Sequence, residues 1–371
     1  MKYGIDSFKT QIIGGNEVKI TKINVAPKAV RLKEPITISL GTIEHSMSAV
    51  VEIETDEGII GYGEGSPGIL ITGETLKGTT ECIQLFEKQL VGVDPLDLEK
   101  IHSIMNSTAA KAPSAKTAID IACYDLFGKK ANLPVYKLLG GFDSKVKTDM
   151  TIGIDLPEVM AEKARLAVSQ GFDTLKIKVG TGFAADVARI KTIREAVGSQ
   201  INLRLDANQG WKPKEAVNTI NHLAEYGIEL VEQPVAYYDI EGLAFVTANV
   251  ATPIMSDESC FDSKDALRLI KAHAVDFVNI KLMKCGGIHE ALKINNICEA
   301  AGVECMIGCM VEETNIGVTA AAHLAAATKN ITRADLDATF GLNEVAIPGG
   351  VGLVPTSLIT LSDKAGLGLS K

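Results

Sequence analysis

The feature that most limits the fold is a regular alternation of strand-like and helix-like runs, which begins after Gly140-Gly141. Eight short strand-like runs are separated by segments whose apolar residues recur at helical spacing. Eight such units with short turns favour a closed barrel of the (β/α) type, and a doubly wound sheet is the structural alternative. The predicted strands are 147–154, 174–180, 202–207, 230–233, 254–258, 277–282, 303–308 and 334–338.

The first third of the chain has a different pattern, in which β-rich runs are followed by helical ones. This order predicts an α+β unit. Two long glycine-containing loops, 38–45 and 66–73, could cover a site that is built elsewhere in the chain. The predicted strands of this unit are 18–25, 47–55 and 58–64, and the predicted helices are 74–91, 95–106 and 114–130.

Composition excludes several classes of partner. A net charge of −9 without a basic run argues against nucleic acid. The longest apolar run, 318–327, is too short to cross a bilayer, and residues 1–20 lack the apolar centre of a signal peptide. Seven scattered cysteines indicate free thiols, so we expect a cytoplasmic protein. Residues 1–16 could be a loose extension.

Three consecutive predicted strands end in acidic residues, Asp206, Glu232 and Asp257. Each alone would be an ordinary strand-end carboxylate. In a barrel, however, the carboxyl ends of neighbouring strands meet at one side of the mouth, where active sites assemble. Three converging carboxylates repel one another unless a cation lies between them. Oxygen-only ligation with room for substrate and water suits Mg²⁺ better than Zn²⁺.

Lysines lie on both sides of these acids. Lys176 and Lys178 alternate with apolar residues, so both point to one face of their strand. An edge strand can also carry lysines against aggregation. Lys178 lies one strand before the acids and Lys281 one strand after them, so the two would approach a metal-bound substrate from opposite faces. One can remove an α-proton while the other returns it, which inverts a stereocentre, and Lys176 would neutralise the substrate carboxylate.

At these residues the chain resembles the enolase superfamily, in its muconate-lactonising branch, from about residue 18 onward. The resemblance implies metal binding and acid–base catalysis by the acids and lysines named above, with one Mg²⁺ per subunit. Homologous barrels associate with one another, so we expect a homo-oligomer. The matching motifs are Leu175-Lys-Ile-Lys178, Leu205-Asp-Ala-Asn-Gln-Gly-Trp211, Val231-Glu-Gln-Pro234, Ser256-Asp-Glu-Ser259 and Asn279-Ile-Lys-Leu-Met-Lys-Cys-Gly-Gly287.

The same resemblance implies an α/β fold with two domains. A modified TIM barrel, (β/α)₇β, would span 143–342 and hold the active site. An α+β capping domain would span 1–142 and be completed by 343–371, so that both ends of the chain contribute to it.

Within this branch, Asp335-Leu-Asp337 looks like the paired acids of dipeptide epimerases. A dipeptide carries an α-ammonium group at the end opposite to its carboxylate, and paired acids would bind it by charge-assisted hydrogen bonds. By the same matching, Thr151, Cys309 and Met310 correspond to substrate-contacting positions. Cys309 has no histidine partner at a predicted strand end, which favours a pocket wall over a nucleophile.

The branch members that the chain resembles most are L-Ala-D/L-Glu epimerases, but one position departs from them. Such enzymes can carry an arginine in the first cap loop that binds the side-chain carboxylate of Glu. The matching stretch here contains Gly41 and no arginine. Lys33 or His45 could replace it, and a wider or more hydrophobic dipeptide range is the other possibility.

These features predict a Mg²⁺-dependent dipeptide epimerase that inverts the α-carbon of the C-terminal residue by two-lysine proton transfer through a metal-stabilised enolate. The predicted substrate is L-Ala-D/L-Glu from cell-wall peptide turnover or a broader L-Ala-L-X range. Muconate cycloisomerase, o-succinylbenzoate synthase and N-acylamino acid racemase are alternatives in the same branch. A sugar-acid dehydratase would need a histidine base that predicted strand 303–308 lacks. A metal- or peptide-binding barrel without turnover is the non-catalytic alternative.

Overall fold

The structure is a computed structural model that describes residues 17–370. The prediction about residues 1–16 lies outside the described residues. The described chain begins with a three-stranded antiparallel sheet in the order β1-β2-β3. Its strands are β1 Ile20–Ile38, β2 Gly41–Thr55 and β3 Ile60–Gly65.

The predicted loop 38–45 is wrong. Strands β1 and β2 form one long hairpin, and Ile38 pairs with Gly41 across a turn made by Ser39 and Leu40. The β-branched residues on both sides of the turn favour extended backbone, so pairing continues to the tip. We call the sheet β1-β2-β3 the cap sheet. The tip of its long hairpin extends over the second unit of the fold and contributes to the site described below.

Four helices follow the cap sheet: α1 Leu76–Leu90, α2 Leu98–Thr108, α3 Pro113–Ala131 and the short α4 Val135–Leu138. Helix α3 is buried along most of its length, because the cap sheet covers one face and later elements cover the others. Strand β3 approaches it so closely that a Cβ atom at Gly63 would lie 1.9 Å from the carbonyl oxygen of Ala118. Glycine is therefore required at this contact.

The second unit is a sheet of eight parallel strands that follow one another in chain order. This order lacks the switch point of a doubly wound sheet, so the predicted barrel is confirmed and the alternative is wrong. Asp149, just before the first of these strands, donates its N–H to the carbonyl of Ala334 in the last (3.3 Å), which brings the two edges together. The strands are β5 Met150–Ile152, β6 Thr174–Lys178, β7 Asn202–Asp206, β8 Ile228–Glu232, β9 Ile254–Ser256, β10 Phe277–Lys281, β11 Glu304–Gly308 and β12 Ile331–Asp335.

Helices connect these strands, and a 3₁₀ turn, Ala338–Gly341, replaces a helix after β12. Apart from the short helix that directly follows β10, one helix lies in each of the seven connections and packs its apolar face on the outside of the barrel, which gives the (β/α)₇β pattern. The helices are α5 Pro157–Ser169, α6 Phe183–Val197, α7 Pro213–Leu223, α8 Ile240–Asn249, α9 Ser263–Lys271, the short α10 Leu282–Cys285, α11 Ile288–Ala300 and α12 Asn315–Ala327; a further 3₁₀ turn, Ala224–Tyr226, follows α7. None of the helices within residues 17–370 has both the length and the apolar character of a membrane span.

The barrel interior is filled below the mouth. Leu230, Met255 and Met306 form an apolar layer inside it. Arg204 is also buried there, and its guanidinium binds Asp149 (2.8 Å) and Glu229 (2.9 Å). A buried cation paired on two sides ties β7 to the segment before β5 and to β8, so the far end of the barrel is closed.

Both ends of the described chain meet at the cap. Strand β13, Leu358–Thr360, pairs with β4, Lys145–Lys147, and the N–H of Leu367 donates to Asp125 of α3 (2.8 Å). Glu64 of β3 accepts hydrogen bonds from the N–H groups of Thr314 and Gly317 (both 2.7 Å), at the start of α12. The cap is thereby fixed over the barrel mouth. The domain limits at 142/143 and 342/343 stay predictions.

Candidate active site

Asp206, Glu232 and Asp257 come together at the barrel mouth. Asp206 and Glu232 are the last residues of β7 and β8, and Asp257 directly follows β9. One carboxylate oxygen from each lies within 4.8 Å of the others, and all three side chains are buried. Such an oxygen-only, triply anionic group fits a hard divalent cation such as Mg²⁺. We call these residues the acid cage.

Lys176 binds the acid cage directly. Its Nζ lies 2.7 Å from Glu232 and 3.1 Å from Asp206, and it also lies 2.7 Å from Asp335. Burial lowers the pKa of Lys176, but the surrounding carboxylates outweigh burial and raise that pKa well above its usual value. Lys176 is therefore a permanent cation between the cage and the acids that follow β12.

The other two lysines end the strands on either side of the cage. Lys178, at the end of β6, places Nζ 2.6 Å from Asp206 and 3.1 Å from Oδ1 of Asn208. Lys281, at the end of β10, places Nζ 3.1 Å from Asp257. Burial lowers the pKa of Lys281, but the charge of Asp257 outweighs it and raises that pKa. Both side chains line one cavity of about 340 Å³ beneath the cap.

The paired acids predicted on the eighth strand lie beside this cavity. Asp335 accepts a hydrogen bond from the hydroxyl of Thr151 (3.3 Å), and Asp337 accepts one from the N–H of the same residue (2.6 Å). Burial and then the charge of Asp335 raise the pKa of Asp337 to about 6. Close to neutral pH, this pair is therefore an anionic site that favours a cationic ligand.

Cys309 and Met310 follow β11 and form part of the cavity wall, and their contact with substrate stays a prediction. Burial, with a contribution from Asp335, raises the pKa of the Cys309 thiol well above its usual value. A thiol that stays protonated is a poor nucleophile. Glu312 also lines the cavity, whereas Glu313 is buried behind it and accepts a hydrogen bond from the N–H of Met310 (2.7 Å).

The cations of the cavity lining that could replace the absent arginine already have partners in the structure. Apart from Lys178 and Lys281, the lysines that line it are Lys33 and Lys163. Lys33 donates to the carbonyl of Phe340 (2.9 Å). Lys163 is paired with Glu34 (3.4 Å) and with a second acid. His45 is not part of the lining.

Sequence reasoning missed two residues that support the cage. Asn279 donates its amide to Glu232 (2.6 Å), and Lys284 places Nζ 2.5 Å from Asp257. Lys284 also donates to the carbonyls of Asp257, Cys260 (3.1 Å) and Asn279. Both residues were visible in the matched motif around Lys281, but their partners lie on other strands, so spacing alone did not reveal them.

We predict that Lys284→Met lowers the free energy of unfolding by about 3–5 kcal/mol, because it leaves a buried carboxylate and several carbonyl groups without their shared donor. Denaturant unfolding with saturating Mg²⁺ measures this effect. Lys293→Met, at a half-exposed lysine of α11, is the matched control, and we expect it to change stability by less than about 1 kcal/mol. An equal effect of both substitutions would contradict the prediction.

Fold and site together define a barrel enzyme with two lysines beside an oxygen-rich cage. Two family models match the chain: "Mandelate racemase / muconate lactonizing enzyme, N-terminal domain" over residues 20–140, and "Enolase C-terminal domain-like" over 159–370. The chain therefore belongs to the enolase superfamily, in its mandelate racemase/muconate lactonizing branch.

Relatives at high identity narrow this further. The hydrophobic dipeptide epimerase of Enterococcus faecalis is 64% identical over 353 residues, which cover 95% of this chain and 100% of that protein. The L-Ala-D/L-Glu epimerase of Bacillus subtilis is 44% identical, over 95% of this chain and 97% of that protein. A solved structure of the E. faecalis dipeptide epimerase, complexed with Mg and L-Leu-L-Tyr, superposes with a TM-score of 0.94 at 64% identity, covering 95% of this chain and 100% of that one.

Proposed function

We propose that this protein is a Mg²⁺-dependent dipeptide epimerase that prefers apolar dipeptides and inverts the α-carbon of the C-terminal residue. The observation that carries the proposal is the arrangement around one cavity: lysines at the ends of β6 and β10, the acid cage on the three strands between them, and a second acidic pair after β12. A relative that is 64% identical is a hydrophobic dipeptide epimerase, which supports the same conclusion.

The two acidic groups would fix a dipeptide at both ends. Asp335 and Asp337 offer carboxylates to the α-ammonium group, and Thr151 holds both acids by hydrogen bonds. Lys176, which contacts the cage and Asp335, supplies positive charge next to the substrate carboxylate. Binding at both ends leaves the α-carbon of the second residue near the lysines and turns its side chain toward the rest of the cavity.

Lys178 and Lys281 would then move the proton. The lysine on one face of the α-carbon accepts the proton at its neutral amine, and the ammonium of the other lysine donates a proton to the opposite face. Because the two groups approach from strands on either side of the cage, each transfer reverses the configuration. Burial excludes bulk water, so the α-carbon receives its proton from a lysine and not from solvent.

Asp206, Glu232 and Asp257 would hold the Mg²⁺ ion, and the relative of known structure contains Mg with its dipeptide. When bound, the ion would neutralise the substrate carboxylate and make the α-proton more acidic. The cage fits this role because it offers three buried carboxylates and only oxygen atoms, which are the ligands that Mg²⁺ prefers.

Apolar side chains line much of the remaining cavity, which supports a preference for apolar dipeptides. Leu32, Ile43 and Ile71 from the cap face Met310 and Phe340 from the barrel. Glu312 belongs to the same wall. An acidic substrate side chain would lose its hydration there, and Lys33, the lining lysine that it could bind, already donates to the carbonyl of Phe340 (2.9 Å).

The test is a panel of L,L-dipeptides in D₂O with Mg²⁺, read by mass spectrometry for a one-dalton gain and by chiral separation for inversion. We predict that L-Leu-L-Tyr and L-Ala-L-Leu gain deuterium, with kcat/KM at least about tenfold above that of L-Ala-L-Glu. A gain confined to L-Ala-L-Glu would instead indicate a cell-wall peptide role, and no gain for any dipeptide would refute the proposal.

A matched pair of variants tests the cause of the preference. Ile43→Arg would place a cation in the cavity wall and lower the ratio of kcat/KM for L-Ala-L-Leu to kcat/KM for L-Ala-L-Glu. Ile43→Leu would leave this ratio unchanged. A ratio that both variants leave unchanged would mean that the side chain of the second residue lies elsewhere.

N-acylamino acid racemization is the second candidate, because the lysines and the cage would serve it equally. It is disfavoured because an uncharged acyl group gains nothing from Asp335 and Asp337, and N-acetyl-L-Leu in the same panel tests it.

We also propose a cytoplasmic location, which the seven free cysteines support. Assembly as a homo-oligomer stays a prediction.

A further inference from the structure

Asn208 is the neutral partner of Lys178, and its side chain has only one usable orientation. Oδ1 accepts from the ammonium of Lys178 (3.1 Å), while Nδ2 donates to a carboxylate oxygen of Glu258 (3.2 Å). An ammonium group can meet only the oxygen of an amide, and a carboxylate can meet only its nitrogen. Lys178 and Glu258 therefore favour the same orientation of the amide, and Glu258 anchors the end that faces away from the lysine.

The backbone of Asn208 is held equally firmly. Its φ of 39° lies in the left-handed region, which Asn tolerates better than most residues. Its N–H donates to Asp206 (2.9 Å), and its carbonyl accepts from the hydroxyl of Ser39 (2.8 Å) in the tip of the cap hairpin. With the backbone fixed, rotation of the side-chain amide is the remaining freedom, and Glu258 restrains it together with Lys178.

The hydrogen bond from Asn208 is the only one that the Glu258 carboxyl group makes with the described residues. Glu258 is 2% exposed, and its second carboxylate oxygen has no hydrogen-bond partner among the described residues. It lines a cleft of about 1130 Å³ and is not among the residues that line the dipeptide cavity, although the two share Leu70 and Ile71 in their walls. A buried acid that does not line the substrate cavity and is bonded to the partner of a lysine acts through that partner.

We propose that Glu258 is a positioning residue for one of the two proton-transfer steps: it holds the Asn208 amide so that its oxygen fixes the Lys178 amine toward the α-carbon. The proposal rests on the proposed function. Lys281 has no contact with Asn208, and its ion pair is with Asp257. Loss of Glu258 therefore impairs transfer at the Lys178 face and leaves transfer at the Lys281 face intact.

The experiment compares Glu258→Ala with Glu258→Gln, using L-Leu-L-Tyr and its L,D epimer in D₂O. In the Ala variant the amide loses its second anchor and can rotate away from Lys178, so inversion falls about 10- to 100-fold in both directions. For one epimer, exchange of the α-proton without inversion stays within about threefold of wild type. The Lys178→Ala variant identifies that epimer, because it can exchange only through Lys281.

Glu258→Gln keeps an oxygen that accepts from Asn208, so its inversion rate stays within about threefold of wild type. Glu81→Gln, on the exposed face of α1, is the control for general effects of this substitution, with wild-type rates expected. Unchanged inversion in Glu258→Ala, equal loss of exchange for both epimers, or a Gln variant as slow as the Ala variant would overturn the proposal.

Crystal structures of both variants give a readout that does not depend on turnover. We expect the contact between Lys178 and Asn208 to be absent in Glu258→Ala and present in Glu258→Gln. Wild-type protein that exchanges no dipeptide proton would refute the proposed function alone, because these structures still decide the positioning role. Retention of the contact in Glu258→Ala would refute the positioning role alone.

Discussion

Replacement of either Lys178 or Lys281 by alanine is expected to lower dipeptide inversion by at least about 10³-fold, the largest effect that we predict for a single side chain. Each lysine serves one face of the α-carbon, and no other described residue that ends a barrel strand offers an amine at either face. Because inversion needs both transfers, loss of one amine blocks the reaction in both directions.

Exchange of the α-proton with solvent distinguishes the roles of the two lysines, whereas the rate of inversion does not. Each alanine variant retains exchange of the α-proton for one epimer only, and the retained epimer differs between the two variants. Chiral analysis and mass spectrometry of recovered substrate measure this pattern, with Lys214→Ala on the exposed start of α7 as the control. If both variants exchanged the same epimer, the assignment of one lysine to each face would be wrong.

Lys176 provides a contrast within the same strand. It is almost fully buried among carboxylates, and those charges raise its pKa well above the usual range. Its ammonium contacts three carboxylates and, unlike Lys178 and Lys281, it does not line the dipeptide cavity, so it is placed to neutralise charge and not to reach the α-carbon. The variant Lys176→Met should therefore act mainly through substrate binding, although the side chain points to the same face as Lys178.

The barrel was predictable because its signals are local and repeated. A strand needs only a short apolar run, and each helix shows one apolar face, so an error of a few residues at one end does not change the topology. The first strand illustrates this point: within the predicted run 147–154 the barrel strand is only Met150–Ile152, and Lys147 ends β4. The order of the strands survives such errors because each crossover has the same hand.

The acid cage was predictable for a different reason. Parallel strands of a barrel end at one rim, so the positions of Asp206, Glu232 and Asp257 in sequence translate directly into proximity. The lysines on β6 and β10 follow the same rule. The rule fails for side chains that do not end a strand, such as Lys284, which projects from the short helix after β10 and meets Asp257 beyond the neighbouring strand β9.

The contact between Glu258 and Asn208 is of a kind that sequence patterns do not predict. Both belong to motifs that attracted attention for a neighbouring residue, and nothing in their spacing predicts that one binds the other. The hairpin tip at Ser39 is a similar case, because a cap residue donates to Asn208 from a distant part of the chain. Contacts between distant segments depend on how the cap is seated, which local periodicity does not encode.

Substitution of Glu232 by glutamine is expected to weaken Mg²⁺ binding by more than about 100-fold and to abolish turnover at ordinary Mg²⁺ concentrations. Glutamine preserves the shape and one oxygen ligand, so the change removes a charge and little else. Burial, followed by the charge of Asp206, raises the pKa of Glu232 to about 8, which means that the ionised form is costly in the folded protein.

The sign of the effect on stability follows from that pKa. The pKa of this carboxyl group is near 4.5 in the unfolded chain and about 8 in the folded protein. The free energy of unfolding therefore falls as the pH rises from about 4.5 to about 8. A neutral glutamine removes this cost, so Glu232→Gln without Mg²⁺ should be at least as stable as wild type at pH 8. Activity and stability would thus change in opposite directions.

Calorimetric titration with Mg²⁺ and thermal unfolding with and without the ion measure both effects. Wild type should gain about 2.7 kcal/mol of stability at a free Mg²⁺ concentration 100 times Kd, whereas Glu232→Gln should gain almost none under the same conditions. Glu225→Gln, at an exposed glutamate next to α7, should respond to Mg²⁺ as wild type does. A Glu232→Gln variant with wild-type Mg²⁺ affinity would place the ion outside the acid cage, and Asp206 and Asp257 would then need another explanation for their burial.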